Sequence, residues 1–247
     1  MIRKIILGVL LVMSVTASAQ IGEHRNDLSV GVSGGYVMSN MGFTPTVPQL
    51  KQPGYTGGVT LRYVCEKYFK SICAIQVELN YVQSGWKEKI WDANNNPVIN
   101  PVSNKEEKYA RTLNYIQMPI FARMGWGRET KGFQFFFQAG PQLGYLVSES
   151  SKMENFTMSN YNSSSRTSPV VAQDTMSVEN KFDYGIGAGV GLEYSHPKLG
   201  HFILEGRYFY GLGDIYGNSK RDYFGRSNNN NVIIKLTYLY DIRKTKK

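Results

Sequence analysis

The chain is poor in the residues that usually carry chemistry. It has only two cysteines, Cys65 and Cys73, and three histidines, His24, His196 and His201. None of the histidines falls in a ligand pattern with a cysteine, so no bound metal and no other cofactor is predicted. No nucleophile elbow of the G-x-S-x-G type, no H-E-x-x-H zinc helix and no P-loop is expected. After residue 19 no apolar run reaches the roughly 18 residues that a transmembrane helix needs. Acidic residues are missing from the start of the chain, where the first is Glu23. What remains must come from the patterning of ordinary residues.

The first nineteen residues have a basic start (Arg3, Lys4), an apolar run over 5–15 and the small-residue sequence Ala17-Ser18-Ala19. This reads as a secretory signal peptide, 1–19, cut before Gln20, because the apolar run is too short to cross a bilayer as a helix. No cysteine follows the cut, so no lipid-anchored N-terminus is expected. Residues 20–247 fit one domain, a length that single β-barrels commonly reach. Removing Arg3 and Lys4 takes the formal charge from +9 to about +7. An exported chain does not meet nucleic acid, and none is predicted as a partner.

Eight stretches alternate apolar and polar residues with period two: 28–38, 55–64, 72–83, 109–124, 133–147, 181–194, 201–211 and 231–240. In the third, Ile75, Val77, Leu79 and Tyr81 oppose Gln76, Glu78 and Asn80. In the sixth, Tyr184, Ile186, Val190 and Leu192 oppose Asp183, Gly185, Gly187 and Glu193. That alternation is the signature of strands with two different faces. Short connectors fall near 65–71, 125–132 and 195–200; long ones fall near 39–54, 84–108, 148–180 and 212–230. An even strand count with alternating short and long connections predicts an all-β fold, an eight-stranded antiparallel up-and-down transmembrane β-barrel. It places the protein in the cell outer membrane, with both termini and a short basic tail in the periplasm and outer-membrane lipids around it.

If the apolar faces meet lipid, the other faces fill the lumen. The expected polar network there comprises Arg62, Glu78, Arg123, Asp183, Glu193, Glu205, Arg207 and Lys235. Acids and bases are mixed, and an eight-stranded barrel has room only for its own side chains or one small ligand. A packed, mutually neutralising core follows, since buried charges persist only when paired. Gly185, Gly187, Gly189 and Gly191 are spaced by two within a strand, unlike a dinucleotide-binding turn. They are expected to make room for large neighbours or to let the wall bend.

Basic residues collect at the short-turn end: Lys67, Lys70, Arg128, Lys131, Lys198 and the tail Arg243, Lys244, Lys246 and Lys247. With the acids there this rim holds about +5 of the mature charge. Attraction to anionic headgroups accounts for it, and docking to an acidic periplasmic partner is the alternative. Cys65 and Cys73 flank the first short turn with the same outward parity. In an oxidising compartment they are predicted to form a disulfide across the hairpin, worth roughly 2–3 kcal/mol; two lipid-facing thiols are the alternative. His201 and Glu205 form the one lumen-parity His–acid pair on a single strand. They stand about 13 Å apart along it, with no convergent serine assigned, and no enzyme is predicted.

Tyr115-Ile116-Gln117-Met118-Pro119-Ile120 resembles the most distinctive strand of the PorT-type outer-membrane β-barrel family. Gln138-Ala139-Gly140-Pro141, Phe182-Asp183-Tyr184-Gly185 and Leu204-Glu205-Gly206-Arg207-Tyr208 are similar to other segments of that family, in the same order. The resemblance spans about residues 21–242. It implies an eight-stranded outer-membrane barrel and, for some relatives, an accessory role in protein secretion or maturation at the cell surface. Pro119 within a paired strand predicts a local bulge or a missing ladder bond. The functional expectation is a non-enzymatic scaffold or accessory interaction protein of the envelope, with envelope or secretion-machinery proteins as partners. A rim-located lipid-modifying enzyme and a soluble periplasmic lipocalin-like binder are the alternatives.

Overall fold

Backbone pairing links every long strand to its two neighbours in sequence, and the first long strand to the last. The computed structural model describes residues 22–167, 172–217 and 223–245. The predicted leader 1–19 with its cut before Gln20 lies outside the described residues, as do Lys246 and Lys247 of the basic tail. The strands are β1 (Glu23–Thr44), β2 (Gln49–Leu50), β3 (Gln52–Tyr68), β4 (Ser71–Glu88), β5 (Lys108–Gly127), β6 (Gly132–Glu154), β7 (Phe182–His196), β8 (Gly200–Gly211) and β9 (Arg226–Arg243). All pair antiparallel, and the pairing of β1 with β9, from Leu28 opposite Arg243 to Thr44 opposite Arg226, closes an eight-membered ring. The two-residue β2 stands outside the ring and pairs only with the end of β4.

The faces are those of a cylinder whose greasy side is outside. Ile75 and Leu79 on β4 are exposed, while Gln76, Glu78 and Asn80 between and beyond them are buried. Trp126, Met124, Ile120, Met118 and Ile116 form the outward face of β5, and all are exposed. From Trp126 to Ile116 the strand runs about 33 Å. At a tilt of about 40° that stands about 25 Å tall, the height of the apolar band on outer-membrane barrels. Aromatic pairs edge the band. Phe133 meets Tyr194 and Phe202 meets Tyr238 near the short turns, while Tyr55 stacks on Tyr81 and Phe182 on Tyr184 toward the long loops.

The strands outrun their apolar signal. β1 continues to Thr44 and β6 to Glu154, well past the 28–38 and 133–147 expected from alternation. Beyond Val147 the outward residues become polar (Ser148, Ser150, Lys152), so the period-two contrast fades while backbone pairing with β5 continues. The long connectors therefore shrink to 45–51, 89–107, 155–181 and 212–225.

Two local expectations resolve. At Pro119 the β4–β5 pairing passes from Val77–Ile120 to Asn80–Gln117 without a change of register. Ladder pairs are missing there and no bulge is inserted. The predicted Cys65–Cys73 disulfide is not formed: both are free thiols. The hairpin bulges at this point, where Val64 pairs with Ala74 and Glu66 with Cys73. Cys65 is the extra residue, so it and Glu66 together oppose Cys73.

Candidate functional site

The bore divides into three levels, each built from inward side chains of several strands. At the long-loop end an apolar cap closes it. Phe43, from the extension of β1, packs edge-on against Trp86 of β4 at 5.2 Å and against Phe224 at 4.7 Å. Tyr109, Leu113, Tyr216, Val98 and Phe156 join the same buried cluster. Polar ties bind the loops to it. Arg111 lies over the Trp86 ring, donates to the Gln173 carbonyl at 3.3 Å and pairs with Glu149 at 2.8 Å. Arg166 pairs with buried Glu107 at 2.9 Å and lies over Phe156 and Tyr161. The four-residue helix α1 (Ala172–Thr175) places the buried Asp174 in this cap. Burial, and then the neighbouring Glu88 carboxylate, pushes the Asp174 carboxyl up to about 8.

In the middle level, charges fill the bore. Arg207 of β8 grips Glu78 of β4 with two hydrogen bonds, at 3.0 and 2.9 Å. Lys235 of β9 donates to the same Glu78 at 2.6 Å, and Arg207 also reaches Glu205 at 2.6 Å. One layer lower, Arg62 holds Glu193 at 2.7 Å, and Arg123 donates to the same carboxylate. Seven of the eight expected network residues are thus in direct ionic contact. Asp183 is the exception: it is buried but sits with Asn229, which donates to it at 2.9 Å, nearer the cap. Asn229 and Asn231, bonded to Tyr115 and Ser84, form a neutral layer that the charge pattern did not reveal.

Inward glycines on β7 give this packing its space. A Cβ at Gly187 would meet the Phe121 ring at 2.8 Å, and one at Gly191 would meet Phe136 at 2.5 Å. Those two rings in turn lie under Arg207 and Arg123, at 4.5 and 3.5 Å from the guanidinium carbons. The expectation that the glycines make room for large neighbours holds for these two.

The third level is a recess at the short-turn end, with a cavity of about 160 Å³ lined by Arg25, Arg62, Gln134, Glu193, His201 and Asp241 among others. His201 does not meet Glu205. Its Nδ1 lies 2.6 Å from Glu193 and 2.9 Å from the Ser195 hydroxyl, and its Nε2 lies 2.9 Å from Asp241. A serine therefore does converge on this histidine, brought across the β7–β8 hairpin by the pairing of Ser195 with His201. Strand pairing fixes that proximity, and residue parity along a single strand does not show it. Gly31-Val32-Ser33-Gly34-Gly35 does spell a G-x-S-x-G, but it lies inside β1, paired on both sides, and on no strand-to-helix turn.

A closed antiparallel ring with an apolar outer band and a polar bore is an integral β-barrel of the outer membrane. Over residues 18–217 the chain matches the outer membrane protein beta-barrel domain, and it belongs to that family. Among solved structures it is similar to Ail, the attachment invasion locus protein of Yersinia pestis, at 12% identity and a TM-score of 0.35, covering 88% of this chain and 99% of that one. OprG of Pseudomonas aeruginosa is similar at 12% identity and a TM-score of 0.38, covering 89% and 98%. Neisserial surface protein A is similar at 9% identity and a TM-score of 0.39, covering 86% and 97%. No curated protein matches the sequence.

Proposed function

We propose that this protein is a non-enzymatic accessory of the cell envelope, which meets protein partners at the two ends of its barrel. The PorT-type motifs point to secretion or surface maturation as the process served. The observation that carries this reading is the filled bore. With Glu78, Arg207, Lys235, Glu205, Arg62, Arg123 and Glu193 buried and in contact across it, and an apolar cap above, the lumen is suited to holding the wall rigid and not to passing solutes. In this reading the long-loop cap faces outward from the cell, and the basic short-turn rim and both termini face the periplasm. Crosslinking in intact cells tests it: protein partners are expected at one or both ends, and recovery of none from either end would remove the accessory role.

The Ser195–His201–Asp241 contact favours one other reading, a rim-located lipid-modifying hydrolase. Against it, both ring nitrogens of His201 face carboxylate oxygens, and a ring donating from both has no lone pair to accept a proton from Ser195. Lipid mass spectra of cells carrying Ser195→Ala decide between the two. A change from wild type favours the enzyme, and unchanged spectra favour the accessory.

A further inference from the structure

In the recess at the short-turn end every carboxylate is partnered, while some donor groups are left over. Four carboxylates line it, and each already receives protons from the protein. Asp27 accepts from the backbone N–H of Thr245, and Glu129 from Arg25 and from Lys67 at 2.8 Å. Glu193 takes Arg62, Arg123 and His201, while Asp241 takes Ser29 at 2.6 Å, His201 and Lys244 at 2.7 Å. Three donors of lining residues, on three different strands, have no hydrogen-bond partner among the described residues: Nε of Arg25 on β1, Nε of Arg62 on β3 and Nε2 of Gln134 on β6. All three side chains are more than nine-tenths buried.

A buried donor without an acceptor costs about 1–3 kcal/mol, and native proteins rarely leave several together. Three such donors around one cavity call for a group with several acceptor oxygens. The charge around it agrees. Lys70, Arg128, Lys131, Lys198 and Arg243 at this end are exposed and make no ion pair among the described residues, so they attract anions toward the mouth. Arginine Nε–H groups suit oxyanions of carboxylate or phosphate type.

We propose that this recess binds an oxyanion, carboxylate or phosphate, carried by a soluble molecule. Arg62, Gln134, Glu193 and His201 lie on the inward faces of the strands, while Glu129, Thr130, Lys244 and Thr245 of the turn and tail form the mouth; the barrel wall thus stands between the inner part of the site and the headgroups of surrounding lipid. About 160 Å³ admits one such group and a few attached atoms. This assignment stands apart from the accessory role and from any partner.

Calorimetry on the full-length protein in phosphatidylcholine nanodiscs, with inorganic phosphate and with succinate as probes, tests it. Saturable binding of one equivalent of at least one probe is expected. Arg62→Lys, which keeps the charge opposite Glu193 but removes the Nε donor, and Gln134→Leu are each expected to weaken it about tenfold. Side-chain nitrogen resonances of Arg62 and Gln134 in the wild-type protein should shift along the same titration, a readout that does not depend on either variant folding. No saturable heat with either probe, or resonances that stay still, overturns the site. Binding seen only when phosphatidylglycerol is added to the nanodiscs puts the oxyanion on a lipid and overturns the soluble source.

Discussion

Arg207 and Glu78 face each other across the bore in a two-pronged ion pair, both side chains almost fully buried. Lys235 approaches the same carboxylate from a third strand, so Glu78 neutralises part of two cations at once. Replacing it with alanine leaves Arg207 with Glu205 and strips Lys235 of its close partner. Removing one member of a buried ionic cluster costs about 3–5 kcal/mol. Glu78→Ala should therefore lower the urea midpoint of the detergent-solubilised barrel markedly, and a further Lys235→Met should recover part of the loss. Unchanged unfolding in Glu78→Ala would show that the cluster contributes nothing net.

The glycines of β7 and β8 should divide sharply. A side chain at Gly191 collides with the Phe136 ring and with the Leu204 carbonyl, each at 2.5 Å, and the carbonyl is backbone that cannot step aside. At Gly206 nothing lies within 4 Å of an added Cβ. Gly191→Val should migrate on unheated gels as an unfolded chain, whereas Gly206→Ala should keep the compact form of the wild type.

Asp174 gives the loop cap a pH dependence with a definite sign. Its carboxyl ordinarily titrates at 3.8 and in the cap is raised to about 8, by burial first and then by Glu88. The folded cap therefore holds a proton that the opened cap releases once pH exceeds 3.8. Stability falls as pH rises from about 4 to about 8, and this group takes away no more above that. Hydrogen-exchange protection across 172–176, with the intrinsic rise of exchange with pH divided out, should fall over that range. Asp174→Asn, neutral at every pH, should flatten the profile, and an equally steep profile in that variant would assign the effect elsewhere.

Cys65 and Cys73 should both react with a maleimide in the folded protein without prior reduction, since both are free, half-buried thiols. Mass addition of two labels is the expected result. A single species resistant to labelling until reduced would instead restore the cross-hairpin bond.

Legibility in the sequence followed the contrast between faces. Where lipid lies outside and ions inside, as along β4 from Ile75 to Tyr81, alternation exposes the strand and its orientation together. Above the bilayer both faces of β1 and β6 carry mixed residues, so Thr44 and Glu154 as strand ends could not be read. The cap was hidden for a related reason. Phe43, Trp86 and Tyr109 point inward, where the pattern lower down places polar groups, and their partners come from distant loops. The charged network was readable because buried ions need partners nearby, yet pairing had to await register. Asp183 has inward parity like the others but sits too high in the bore to meet a cation. His201 shows the same limit from the other side: Asp241 lies forty residues away on an adjoining strand, and Ser195, though only six residues off across the hairpin, falls in the stretch that alternation assigns to the connector.

The seam between β1 and β9 joins residues some two hundred positions apart, such as Val30 and Tyr240. Until that seam zips, two bare edges with unanswered N–H and C=O groups would face hydrocarbon, which tolerates neither. Half-made versions of this wall are thus not stable lodgers in a bilayer. A chain cut short of β9 should be lost to proteolysis or clumping, while a chain with its natural ends tethered and a fresh break opened in a loop should still round up into the same cylinder.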